Sequence, residues 1–105
     1  MRILVICGAG ASSTFVAQRL RSAAAASGVH VEVAAGTEDT LAGITEPVDI
    51  VLVGPHLESE FQRIRTVASA HESIAVLLPP DAFEDRDGSR ILQLATAARA
   101  ASVTE

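Results

Sequence analysis

Cys7 is the only cysteine in the chain, and the residues after it are Gly8-Ala9-Gly10-Ala11-Ser12-Ser13-Thr14, all small or hydroxyl-bearing. Before it stands the apolar run Arg2-Ile3-Leu4-Val5-Ile6, and a helical pattern begins just beyond, at Phe15. The succession predicts strand, loop and helix N-terminus. A helix start carries unsatisfied N–H groups and the positive end of a dipole, so the loop is suited to an anion. A thiol delivered into that field has a lowered pKa and is more nucleophilic at neutral pH. Gly8 and Gly10 permit close backbone approach, and Ser12, Ser13 and Thr14 supply hydroxyl donors, one of which also caps the helix. The chemistry that fits is thiolate attack on a phosphoryl group held by the loop, leaving Cys7 covalently phosphorylated.

The elements that must position this loop follow from periodicity. Residues 2–6 form an apolar, β-branched run, the pattern of a strand buried on both faces of a parallel sheet. A helix is expected from about Ser13 to Ser27, with Phe15, Val16, Leu20 and the Ala23–Ala26 run covering one side, Gln18, Arg19 and Arg21 facing water, and Gly28 as the stop. Residues 29–34 alternate as an edge strand would, and 38–42 suit a short helix. Residues 49–53 form a third strand ended by Gly54-Pro55. Leu57, Phe61, Ile64 and Ala68 make one helical stripe. Residues 73–78 form a fourth strand ended by Pro79-Pro80. Beyond the acidic loop 81–87, Gly88 leads into a last helix carrying Ile91, Leu92, Leu94, Ala95 and Ala98, which frays from Ser102 onward.

Alternating strands and helices imply right-handed crossovers and a parallel sheet covered on both faces. The expected fold is therefore α/β, one domain over 1–105, with four parallel strands in the flavodoxin-like order 2-1-3-4. That order puts a switch point between strands 1 and 3, and ligands bind at such a point, at the strands' carboxyl ends. Cys7 lies at the carboxyl end of strand 1.

Composition excludes several classes. A net charge of −5, with three Phe and neither Tyr nor Trp, disfavours a nucleic-acid reader, which wants a basic face or stacking aromatics. A lone cysteine forms no internal disulfide, so no oxidising compartment is needed. No apolar stretch is long enough to span or insert into a membrane, and the N-terminus lacks signal-peptide architecture, so a cytoplasmic protein is expected. One Cys and scattered His give no metal-ligand spacing.

Phosphate-handling readings compete for the loop. A Walker A loop needs a lysine, and all eight cations here are arginine. A dinucleotide fingerprint needs a third glycine where Ser13 stands. A low-molecular-weight tyrosine phosphatase has a similar fold and a cysteine after strand 1, but uses C-x5-R; six residues after Cys7 is Ser13. Arg19 comes about three turns along the helix from Cys7, too far to enter the loop. Asp81, Asp85 and Asp87 are the available candidates for that enzyme's general acid.

Cys7-Gly8-Ala9-Gly10-Ala11-Ser12-Ser13-Thr14 resembles the C-x-x-G-x-S-[ST]-[ST] signature of the enzyme IIB component of the lactose/cellobiose (chitobiose) class of sugar phosphotransferase systems. Val53-Gly54-Pro55-His56 resembles that family's strand-3 exit. Pro80, Phe83 and Asp87-Gly88 resemble its P-x-x-[YF]-x-x-x-D-G segment. Galactitol- and ascorbate-type IIB loops are similar too, with different glycine and serine spacing. The resemblance covers nearly the whole chain and implies a phosphocarrier. A phosphohistidine on a IIA partner would charge the Cys7 thiolate, and the phosphocysteine would pass its group to a sugar held by a membrane-embedded IIC partner. It implies no cofactor beyond the phosphocysteine, with Gly8, Ala9, Gly10, Ala11, Ser12, Ser13 and Thr14 cradling the phosphoryl oxygens. A carrier has reason to lack an arginine clamp, which would favour retention or hydrolysis.

Simpler roles compete at single residues. Cys7 alone would be a small buried hydrophobe. His56 suits a solvated helix start, or a partner-facing position where the family often has an amide; it is not in the catalytic set. His30 and His71 read as structural. The acidic loop reads as a solvated turn, with Phe83 as its partner-facing residue. A non-catalytic regulator on the same fold would be expected to lose Cys7 first.

Overall fold

The computed structural model describes residues 1–6, 10–81 and 88–103; of residues 10–13 and 101–103 it describes the backbone only. Strand β1 (Arg2–Ile6) leads into helix α1 (Gly10–Ser27), then β2 (Glu32–Gly36), the short α2 (Glu38–Ala42) and β3 (Ile50–Val53). A 3-10 segment (Pro55–Glu60) runs into α3 (Phe61–Ala70), followed by β4 (Ile74–Leu77) and α4 (Ser89–Val103). All pairings are parallel and the strand order is β2-β1-β3-β4, as the sequence predicts.

The sheet is buried from both sides because its interior strands are apolar from Ile3 to Ile6 and throughout β3. Ile3 and Val5 of β1 and Ile50 and Leu52 of β3 face one layer, where Val16, Leu20 and Ala24 of α1 meet Ile91 and Ala95 of α4. Leu4, Ile6, Val51 and Val53 face the other, against Leu41, Ile64 and Ala68. Asp49 fixes the register at the amino ends. Its carboxylate accepts from the Arg2 N–H at 2.8 Å, and its own N–H donates to the Arg2 carbonyl at 2.9 Å.

Two helices end in the same device. Gly28 at φ 73° lets its N–H reach the Ala25 carbonyl and the Val29 N–H reach Ala24, the paired bonds of a Schellman motif. At the end of α3, Glu72 takes the left-handed position at φ 61°, donating to Ser69 while Ser73 donates to Ala68. The first motif corrects one boundary. Val29 is engaged in ending α1, so β2 begins at Glu32 rather than at residue 29.

Four other expectations change. Helix α1 starts at Gly10, three residues before the predicted Ser13, because the small residues of the loop also suit a helix's first turn. Phe15 does not cover the core: it is 49 % exposed, since Val16, Ala17, Leu20, Ala23 and Ala24 set the inner face and residue 15 lies opposite. Leu57 stands in the 3-10 segment rather than in α3, although it still packs on the same core layer as Phe61. At the other terminus α4 continues to Val103, past the predicted fraying point. Among the described residues no helix is long and apolar enough to cross a membrane.

Candidate functional site

The site is framed by the carboxyl ends of the two interior strands. Ile6, fully buried, pairs with Gly36 on one side and Val53 on the other. The Gly54 N–H donates to the Ile6 carbonyl at 2.8 Å, and the Leu78 N–H donates to Val53 at 2.8 Å, so the sheet is hydrogen-bonded to its last residue at this edge. From β1 the chain leaves towards α1 on one face, and from β3 towards α3 on the other. The two connections diverge between neighbouring strands, which is the switch point.

Three residues, Cys7, Gly8 and Ala9, join Ile6 to the start of α1 at Gly10. They lie outside the described residues, as does Phe83. Gly10, Ala11, Ser12 and Ser13 are described in backbone alone, as the opening turn of α1. In a helix beginning at Gly10, the N–H groups of Gly10 to Ser12 have no ladder partner, whereas that of Thr14 falls at the ladder position to the Gly10 carbonyl. Donors for an anion are therefore at the very start of α1, and Thr14 lies exposed just beyond. The helix holds no acidic residue to oppose the dipole's positive end, and its two cations, Arg19 and Arg21, lie past its midpoint.

Beyond β3, Gly54 is buried and Pro55 opens the 3-10 segment that carries His56, exposed and three residues past Val53. The structure thus brings His56 to the same edge as the end of β1. His30 lies beside the N-terminal amine at the opposite edge, and His71 closes α3. An open cleft of about 400 Å³ also borders the active edge, between Pro55 and Glu58 on one side and Pro79, Pro80, Arg90 and Leu94 on the other. A second cleft, about 450 Å³, lies towards the amino ends of β1 and β2, where Arg2 bridges Glu32 and Glu46.

Asp81 bears on the phosphatase-like reading. Its carboxylate pairs with Arg90 at 2.8 Å, and the hydrogen bond from that guanidinium holds its pKa below the ordinary carboxylate value. A leaving-group acid wants the opposite shift. Asp85 and Asp87 lie outside the described residues.

One pair on α1 was missed in the sequence. The Arg19 guanidinium lies over the exposed Phe15 ring, 4.0 Å from its centroid. The signal was present: the i, i+4 spacing of Phe15 and Arg19 stacks them on one face.

The model of the lactose/cellobiose-specific IIB subunit family of the PTS system matches residues 2–94. Among solved structures, the lactose-specific IIB component domain of the phosphoenolpyruvate:carbohydrate phosphotransferase system from Streptococcus pneumoniae superposes with a TM-score of 0.77 at 18 % identity, covering 93 % of this chain and 96 % of that one. The cellobiose-specific phosphotransferase IIB component from Borrelia burgdorferi gives a TM-score of 0.74 at 25 % identity, with 95 % and 92 % covered. No curated protein gives a match. The family match runs from the start of β1 into α4, over every strand of the sheet and the loop bearing Cys7, so the chain belongs to the lactose/cellobiose-specific IIB family, phosphoryl carriers of sugar phosphotransferase systems.

Proposed function

We propose that Cys7 is the phosphoryl acceptor and donor of this carrier. The observation that carries the reading is the three-residue link between the buried end of β1 and the N-terminus of α1, at the switch point of the sheet. A nucleophile in that link stands beside the unpartnered N–H groups of a long helix and an acid-free run of side chains. The thiolate attacks the phosphorus of a phosphohistidine on a IIA partner. The S–P bond forms as the N–P bond breaks, and the imidazole leaves with the electron pair, its proton balance met by the one the thiol released. Backbone N–H groups of the link and of Gly10 to Ser12, with hydroxyls from Ser12, Ser13 and Thr14, neutralise charge on the phosphoryl oxygens. The group then passes to a sugar bound by a membrane-embedded IIC partner, and the carrier works in the cytoplasm without a cofactor. His56 and Phe83 are partner-facing rather than catalytic.

The test is intact mass after incubation with phosphoenolpyruvate, the general phosphotransferase proteins and a lactose/cellobiose-class IIA. Wild type gains one phosphoryl group and Cys7→Ser gains none. A hydrolase of the low-molecular-weight phosphatase type would instead turn over p-nitrophenyl phosphate and hold no stable adduct. The ionised Asp81 and the lack of an arginine six residues after Cys7 both disfavour that outcome.

A further inference from the structure

Resting on the carrier reading, we propose that Phe15 and Arg19 form the patch on α1 that seats the phosphohistidine-bearing partner. Phe15 is the most exposed large apolar residue among those described, Val29 at 38 % being the other. A single exposed apolar residue is ordinary, so its position and company must carry the argument.

Position comes first. Phe15 lies five residues past Gly10, about 7.5 Å along the helix axis at 1.5 Å per residue. A stable interface covers about 800 Å² of each partner, a patch roughly 16 Å in radius. A partner centred on the link before Gly10 has Phe15 well inside that footprint. Val29, beyond the far end of α1, is about 28 Å from Gly10 by the same measure and falls outside it.

The pair also has the composition of an anchor. Arg19 stacked on the ring holds the aromatic in one orientation before any partner arrives, so less side-chain entropy is lost on docking. Aromatic and arginine side chains dominate the energetic centres of interfaces. Charge then selects the occupant. The whole chain has 13 acidic residues against 8 arginines, yet α1 has Arg19 and Arg21 and no acid. A phosphorylated histidine makes its surroundings more negative. Helices α3 and α4 are also acid-free with two arginines each, but α1 is the one of the three that begins at the link bearing Cys7, so it is the basic helix such a surface meets there.

The experiment follows the rate at which a phosphorylated lactose/cellobiose-class IIA adds mass to the full chain, over a range of donor concentrations. It compares wild type, Phe15→Ser, Arg19→Gln and Val29→Ser, with alkylation of Cys7 by iodoacetamide run in parallel. Phe15→Ser is expected to lose roughly tenfold or more in rate at low donor, as truncation of an interface anchor does, and to recover at saturating donor. Arg19→Gln loses less, Val29→Ser nothing, and alkylation is the same in all four. Equal transfer by wild type and Phe15→Ser overturns the patch and leaves the carrier reading standing. A loss matched by an equal loss of alkylation also overturns the patch, because the ring then supports the thiol rather than a partner. A wild type that takes no phosphoryl group from several IIA donors overturns the carrier reading, and the patch with it.

Discussion

Gly88 sits against the backbone of Arg19: a Cβ built on it would come within 2.6 Å of the Arg19 carbonyl carbon and 3.1 Å of the Leu20 nitrogen. Gly88 also holds φ at 75°, in the left-handed region. The entry to α4 and the third turn of α1 are therefore in backbone contact, and α4 is seated on the helix that follows the Cys7 link. The glycine at position 88 thus has a packing reason. Gly88→Ala is expected to cost about 2–5 kcal/mol, combining the left-handed penalty with overpacking against an unyielding backbone. Urea unfolding measures it, and a loss under about 1 kcal/mol would mean that α4 can shift away freely.

Glu72 presents the opposite case. It occupies the left-handed position that ends α3, and its side chain is exposed. Glu72→Gly removes that backbone penalty, and the greater freedom of the unfolded chain offsets part of the gain. A net rise of about 0.5–1 kcal/mol is expected in the same unfolding assay, whereas a drop would show that the side chain contributes more than its backbone costs.

Ser73 is the buried polar side chain at the start of β4, and its hydroxyl donates to the Val48 carbonyl at 2.6 Å. Ser73→Ala leaves that carbonyl without its partner and should cost about 1–3 kcal/mol. Because the bond ties the loop before β3 to β4, far from the active edge, phosphoryl uptake should be unchanged in the folded variant. A lower rate of mass gain would break that separation.

Acid should weaken the fold through three surface pairs. Hydrogen bonds from Arg2, Arg63 and Arg90 hold the carboxyls of Glu32, Glu38 and Asp81 below their ordinary values of 4.5, 4.5 and 3.8. Groups with depressed folded-state values stabilise fully above the unfolded values and lose that contribution as pH falls through the folded ones. The thermal midpoint should therefore be flat from neutrality towards pH 5 as far as these pairs decide it, then fall, with a gentler slope in high salt because all three are exposed. The combined variant Glu32→Gln, Glu38→Gln, Asp81→Asn should flatten the acid limb. An unchanged limb would assign the acid sensitivity to other groups.

Strand order, the buried character of β1 and β3, and the placing of Cys7 between β1 and α1 were all readable from apolar runs and their punctuation. What escaped has identifiable causes. Gly28 was read correctly as a stop, but its motif uses Val29 as well, and that moved the start of β2. The apolar character of Phe15 outweighed its angle on the helix, although Val16, Leu20 and Ala23 define the inner face without it. The small residues after Cys7 satisfy loop and helix start equally, so composition could not divide the link from α1. The stacking of Arg19 on Phe15 and the contact of Gly88 with Arg19 depend on how α1 and its neighbours meet in space.

The Arg21 side chain reaches across from α1 and donates to the Val33 carbonyl in the middle of β2. Since the Glu32 N–H points inward to Met1, alternation along the strand turns Val33 outward, to the rim where β2 has no neighbouring strand. A guanidinium thus takes the acceptor that an incoming strand from another molecule would need first. An edge strand blunted in this way offers other molecules a less complete template for pairing. The helix that follows the Cys7 link thus also occupies a backbone acceptor on the free edge of the sheet.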